Sequence, residues 1–194
     1  MKSIAIFCGS KPGTEPYFIE CAEHTGRYLA KTGKTLVYGG GRSGLMGVVA
    51  NSALHAGGRV IGVMPQSLVG MELAHTGLTE LHIVESMHER KLKMSELADG
   101  FIALPGGAGT LEEIFEQWTW AQLGIHTKPC GFLNVRGFYQ PLLDMIEQTV
   151  NTGFTQPRFS SSLCVSDHIE TLITEFEHYQ KPQPKWGAQD VVVP

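Results

Sequence analysis

Residues 101–110 read Phe101-Ile102-Ala103-Leu104-Pro105-Gly106-Gly107-Ala108-Gly109-Thr110: four apolar residues run into a turn carrying three glycines. A short strand that is apolar at every position needs cover on both faces, which is the situation of a parallel sheet between two helical layers. Val60-Ile61-Gly62-Val63-Met64 repeats the pattern. Outward from these two runs, strands are expected at 3–8, 35–38, 59–64, 80–85, 100–104, 130–135 and 162–165. The stretches between them, 15–32, 43–57, 86–98, 110–123, 138–151 and 167–179, have helical spacing. Strict alternation of the two element types implies a Rossmann-like, doubly wound α/β fold. Its sheet is mainly parallel, with helices on both faces and right-handed crossovers, in a single domain.

The chain has 194 residues, 42% hydrophobic and 18% charged, enough for one well-filled core. Residues 1–179 are expected to form that domain. From Lys181-Pro182-Gln183-Pro184-Lys185 the composition breaks the helical pattern, so 180–194 is expected to be a Pro-rich tail. A formal net charge of -4 and the lack of a basic stripe argue against nucleic acid as a partner. No apolar run spans a bilayer and no signal-like segment precedes the first strand, so a cytoplasmic location with no membrane association is expected. Cys8, Cys21, Cys130 and Cys164 are scattered and read as free thiols. The eight histidines form no metal-ligand spacing, and neither a metal nor an organic cofactor is expected.

In doubly wound sheets ligands bind beyond the carboxyl ends of the strands. Four turns there are chemically loaded: Gly9-Ser10, Gly39-Gly40-Gly41-Arg42-Ser43-Gly44, Met64-Pro65-Gln66-Ser67 and Pro105 to Thr110. Gly39, Gly41 and Gly44 match G-x-G-x-x-G, but no Asp or Glu occurs between Gly39 and Met71 to hold a dinucleotide ribose. Gly33-Lys34-Thr35 is no phosphate loop, because Tyr28 stands where a glycine is required. Two readings remain for these turns: a cradle of backbone N–H groups for an anion at a helix start, or tight turns and close packing only.

The segment from Ser86 opens with a capping box, Ser86-Met87-His88-Glu89. Its apolar stripe of Met87, Met94, Leu97 and Ala98 also contains positions 90 and 91, which are Arg90 and Lys91. Cations on a core-facing stripe need anionic partners. Either they face a phosphate and a carboxylate in the cleft, or they snorkel or bridge to Glu96 or Asp99. Glu113 is equally balanced between a capping box with Thr110 and catalysis. Leu111, Ile114, Phe115 and Trp118 form the buried stripe of that helix, with Glu112 and Glu116 expected in solvent.

Pro105-Gly106-Gly107-Ala108-Gly109-Thr110-Leu111-Glu112-Glu113 resembles the P-G-G-x-G-T-x-x-E motif of the "Lonely guy" (LOG) family, and Met87 to Lys91 resembles its M-x-x-R-K element. Gly39-Gly40-Gly41 followed by Gly44-Leu45-Met46-Gly47 is similar as well, and the likeness runs from about Ile4 to Glu177. The resemblance implies a cytokinin riboside 5′-monophosphate phosphoribohydrolase, an N-glycosidase that splits AMP or an N6-modified AMP into base and ribose 5-phosphate. It implies Arg90 and Glu113 as the catalytic pair. Substrate binding falls to Glu72, Lys91, Gly106, Gly107, Ala108, Gly109, Thr110 and Thr119, with the Gly9-Ser10 and Gly40-Gly41 turns beside them. Ala108 departs from the aromatic residue common in plant members.

A bound 5′-phosphate would raise the pKa of Glu113 by like-charge repulsion, and Arg90 would offset this. A homodimer is also implied, with Trp118, Trp120, Leu123 and Ile125 offering apolar surface for it. The lysine decarboxylase label often given to such proteins requires a pyridoxal Schiff-base lysine that is not readable here. The alternative is a non-catalytic nucleotide-binding or carrier module on the same scaffold, since a fold does not fix a function.

Overall fold

The computed structural model describes residues 1–69 and 74–186. Seven strands alternate with helices as the apolar runs require: β1 (Ser3–Phe7), α1 (Pro16–Lys31), β2 (Thr35–Tyr38), α2 (Gly44–His55), β3 (Val60–Pro65), α3 (Gln66–Val69), β4 (Glu80–Val84), α4 (Met87–Leu97), β5 (Phe101–Ala103), α5 (Ala108–Leu123), β6 (Cys130–Leu133), α6 (Gln140–Asn151), α7 (Pro157–Ser160), β7 (Leu163–Ser166) and α8 (Ile169–Glu177). The short α3 and α7 fall in stretches expected to be loop, and a 3-10 turn at Val135–Gly137 begins where the strand expected over 130–135 has already ended at Leu133.

All pairings between the strands are parallel, in the order β4-β3-β2-β1-β5-β6-β7. The chain winds outward from β1 in one direction and, after α4, returns to lay β5 on the other side of β1. The switch point is therefore the crevice between β1 and β5, where Ala5 pairs with Phe101 and Phe7 with Ala103.

Side-chain alternation along β1 divides the core into two layers. Ile4, Ile6 and Cys8 pack with Ala22 and Leu29 of α1, Val49 and Ala53 of α2, and Leu172 and Phe176 of α8. Ala5 and Phe7 pack on the other face with Met94 of α4, Ile114 and Trp118 of α5, and Tyr139 and Ile146 at α6. The inner strands β1, β3 and β5 thus serve both layers, which is why the runs 4–7, 60–64 and 101–104 carry no polar residue.

Two features hold the switch point open. Leu104 and Gly9 donate backbone hydrogen bonds to Phe7 O and Pro105 O, at 2.9 and 3.1 Å, stitching the strand ends together. Tyr139 donates its hydroxyl proton to Leu104 O at 2.6 Å, fixing the strand end from beneath. Residues 180–186 follow α8 across the end of α5, with Lys185 N donating to Gln122 O at 2.7 Å. The valine run Val191-Val192-Val193 lies outside the described residues. Among the described residues no helix is long and apolar enough to cross a membrane.

Helices α1 and α2 touch at Gly26, where a Cβ would stand 2.3 Å from Val49 O and 2.9 Å from Ala53 N. Replacing a mid-helix glycine by alanine gains about 1 kcal/mol of helix propensity. Overpacking against rigid backbone costs about 1–3 kcal/mol and outweighs it. Gly26→Ala is expected to lower the urea midpoint without changing the slope of the transition; an unchanged or raised midpoint would show that the helices can separate freely.

Candidate active site

At the carboxyl ends of β1 and β5 a cleft of about 270 Å³ is lined by Cys8, Gly9, Ser10, Met46, Arg90, Gly107, Ala108, Gly109, Thr110 and Glu113. Its floor is the β1 end, one wall is the glycine turn, and Arg90 and Glu113 close the inner side. A second cavity of about 320 Å³ adjoins it through Gly9, Ser10 and Gly107, with Pro12, Phe18, Leu45 and Phe138 among its walls.

The glycine turn starts α5 two residues earlier than the sequence suggests. Its N-cap is Gly107, and the helix begins at Ala108. Thr110 is thus already inside the helix, so the expected Thr110–Glu113 capping box does not form and Glu113 is not spent as a cap. Gly107, Ala108 and Gly109 are exposed at the helix start, whereas Thr110 is buried. Gly106 has to be glycine: a Cβ there would lie 2.1 Å from Thr110 Oγ1 and 2.9 Å from Gly9 N. The N-terminal N–H groups of α5 and the positive end of its dipole consequently face a cleft that bare backbone can approach.

Helix α4 brings in the cations. Ser86 Oγ accepts from Glu89 N at 3.1 Å and the Glu89 carboxylate accepts from Glu85 N at 2.8 Å, fixing where the helix starts. The buried face is Arg90, Lys91, Met94 and Ser95, while Met87, expected on that stripe, is exposed. The helix is turned so that its first buried turn is the charged one. Arg90 Nε donates to Val63 O at 3.1 Å, and Nη1 donates to Glu113 Oε1 at 2.9 Å. Both side chains are only 10% exposed, which makes this an ion pair withdrawn from water.

Lys91 turns the other way. Its Nζ donates to Glu112 and, at 3.0 Å, to Glu116. Neither Glu96 nor Asp99 serves either cation: Glu96 pairs with Lys93 at 3.3 Å, and Asp99 accepts from Lys2 N and Ser3 N. Glu112 is exposed, as expected, and Glu116 is half-buried; both are engaged, because Lys91 crosses from α4 to meet them. Lys91 contributes to α4–α5 docking and not to the wall of the cleft.

Burial pushes the Glu113 carboxyl above the usual carboxylate range, and Arg90 only partly offsets the rise. Burial is thus the leading cause of the rise, and the Arg90 charge the main opposing one. Burial opposes the Lys91 ammonium, but its hydrogen bonds to Glu112 and Glu116 prevail and raise its pKa. Burial, reinforced by the Glu113 charge, holds the Cys8 thiol protonated, so it lines the cleft without being a nucleophile.

The other expected residues are placed as follows. Gly9 and Ser10 line the cleft. Gly40 and Gly41 sit behind it: Gly40, at φ +75°, accepts from His75 N at 2.9 Å, and Gly41 bridges to Ala74. Thr119 is exposed further along α5 and is not part of this cleft. Glu72 lies outside the described residues. Trp118 is buried and donates from Nε1 to Phe159 O at 3.1 Å, so it belongs to the core and offers no surface for a partner. The sequence reading missed Cys8, Met46, Val63 and Gly39 as parts of the site; only the glycine run gave a hint of the last. Among the described residues no three His, Cys, Asp or Glu side chains cluster as a metal would need.

Residues 46–176 match the family described as "Possible lysine decarboxylase". A cytokinin riboside 5′-monophosphate phosphoribohydrolase of Rhodococcoides fascians is 51% identical over 173 residues, covering 89% of this chain and 87% of that protein. One from Oryza sativa subsp. japonica is 46% identical over 179 residues, covering 92% and 74%. The chain belongs to the LOG family of cytokinin riboside 5′-monophosphate phosphoribohydrolases. Solved structures share the family's fold more widely. A molybdenum cofactor binding protein from Rippkaea orientalis superposes with a TM-score of 0.68 at 20% identity, covering 91% of this chain and 96% of that one. The molybdenum cofactor carrier protein of Chlamydomonas reinhardtii gives 0.66 at 19%, with the same coverage. At such identity the likeness is one of fold alone.

The buried pair fixes a pH dependence. A carboxyl whose folded pKa is raised binds its proton more readily folded than unfolded, so its contribution to stability falls as pH rises through that window. Activity that needs the carboxylate runs the opposite way and is lost as pH falls. The acid limb of kcat/KM is expected above the ordinary glutamate value and, in Arg90→Met, higher still. A limb at the ordinary value in both proteins would mean that Glu113 is solvated or is not the group titrating.

Proposed function

We propose that this protein hydrolyses the N-glycosidic bond of a nucleoside 5′-monophosphate, either AMP or an N6-modified AMP such as a cytokinin riboside 5′-monophosphate, to free base and ribose 5-phosphate. The observation that carries the reading is the buried Arg90–Glu113 pair, 2.9 Å apart, opening onto the start of α5. The 5′-phosphate lies against the N–H groups of residues 107–110, with Ser10 opposite, where the helix end favours an anion. The ribose then reaches inward to Glu113. As the bond to the base lengthens, positive charge develops on the ribose, and the carboxylate stabilises it. A water held by Glu113 attacks the anomeric carbon and gives up a proton to the carboxylate. The base leaves with the bonding pair and takes up a proton, so that water is added across the bond. Arg90 keeps Glu113 ionised and aimed in a site that would otherwise protonate it.

A decarboxylation of lysine through a pyridoxal aldimine would need a lysine amine facing the reacting centre. Lys91, beside Arg90 on α4, does not meet that need: it is held by two carboxylates and its pKa is raised, the opposite of an aldimine lysine. We assign 1–179 as the catalytic domain and 180–194 as an appended tail. The reaction is placed in the cytoplasm, where the four free thiols persist. Two copies of the chain associate through apolar residues left exposed on α4 and at the end of α5, among them Met87, Leu92, Leu123 and Ile125.

Incubation of the purified protein with AMP and with an N6-prenylated AMP, followed by chromatography, is expected to show base and ribose 5-phosphate. Glu113→Gln should lower kcat by about 10²–10⁴-fold with little change in nucleotide affinity; full activity in that variant, or binding without turnover in the parent protein, overturns the assignment. Light scattering is expected to give twice the 21.2 kDa chain mass, and Ile125→Lys to shift it to the monomer.

A further inference from the structure

Gly39 directly follows β2, at a place where its glycine identity is not explained by the backbone. The glycines whose φ requires that residue in this turn are Gly40 at +75° and Gly44 at +58°. Gly39 is not among the positive-φ glycines, so an ordinary side chain could follow its backbone there. What a side chain would meet is Arg90. A Cβ on Gly39 would stand 1.7 Å from Arg90 Nη2, 2.9 Å from Cζ and 3.4 Å from Nε, and those are its three nearest contacts. Gly26 and Gly47 differ in kind, because a Cβ on either would strike main chain.

We propose that Gly39 is a positioning residue for the reaction. Its missing side chain leaves the seat that the Nη2 end of the Arg90 guanidinium enters beside the end of β2, and so sets the aim of Arg90 at Glu113. The guanidinium has three constraints. Nε is pinned to Val63 O on the neighbouring strand, Nη1 is directed at Glu113, and Nη2 lies over Gly39. The first two are attractive and define direction. The third is steric and determines how deep the planar group can sink, which no hydrogen bond can do. A methyl at position 39 occupies the Nη2 position outright. The arginine end is the flexible partner in that clash, so Arg90 leaves its seat while the backbone of β2 stays. Glu113 then loses the cation that offsets its burial.

The catalytic consequence rests on the base-release reading above; the coupling of Gly39 to Arg90 does not, and it is measured separately. In Gly39→Ala, kcat/KM for AMP is expected to fall by about 100-fold, as for a catalytic group displaced by about 1 Å. The acid limb should move up to where Arg90→Met places it. Carbon-13 NMR of the Glu113 carboxyl should show the same rise without any turnover. Gly39→Ala, Arg90→Ala and the double variant close a thermodynamic cycle by melting temperature. Because truncating Arg90 empties the seat, the double variant should melt with Arg90→Ala, and the two single losses should not add. This holds even if Gly39→Ala alone fails to fold. Additive losses, or a Glu113 titration in Gly39→Ala unchanged from the parent protein, would overturn the proposal. If the cycle couples but no variant and no parent protein releases base, the seat stands and the base-release reading falls.

Discussion

Two opposite charges, on Arg90 and Glu113, are withdrawn from water between α4 and α5, and much of the sheet's carboxyl end is arranged to keep them paired. An ion pair in that position gives little net stability by itself, since desolvation consumes most of the attraction. Losing either partner, however, leaves a charge that the protein cannot accommodate. That asymmetry explains why the surrounding groups are specific. The Val63 carbonyl takes the guanidinium's Nε–H, Gly39 leaves room for Nη2, and α4 is rotated so that Arg90 and Lys91 lie on its buried face. The pair is costly to fold, because burial raises the carboxyl's pKa and the arginine only partly opposes the rise.

The second cation shows how the same helix separates two tasks. Lys91 follows Arg90 directly, so the two side chains leave α4 about 100° apart. One reaches the inner wall of the cleft, and the other crosses to Glu112 and Glu116 on the outer side of α5. Three glutamates of α5 thus answer two cations of α4, and the docking of these helices fixes the distance between Arg90 and Glu113. A change at Lys91 therefore acts on the site through the angle between the helices even though Lys91 does not line the cleft.

The glycine turn at 106–109 depends on the fold around it in a similar way. Its helix start is exposed and lacks a side-chain cap, so its first N–H groups are left open to the cleft. The switch point provides that opening, because the chain leaves the paired β1 and β5 toward opposite halves of the sheet. Hydrogen bonds from Gly9 and Leu104 and from the Tyr139 hydroxyl hold the two strand ends rigid beneath it.

The sequence alone determined the alternation of elements, the parallel sheet and the location of the glycine turn, because uninterrupted apolar runs and glycine punctuation are local signals. It also pointed to a need of Arg90 and Lys91 for anionic partners, a phosphate or carboxylates, because a charge on a core-facing stripe is costly unpaired. Which carboxylates they find was decided only in three dimensions: Glu113 for one, Glu112 and Glu116 for the other, with Glu96 and Asp99 occupied elsewhere. Whether Glu113 caps a helix or faces a cleft was likewise undetermined until α5 was seen to begin at Ala108, since a two-residue shift in a helix start leaves no trace in composition. The role of Gly39 belongs wholly to tertiary structure. The property that matters there is the space left by an absent side chain, and that space has meaning only once a distant arginine fills it.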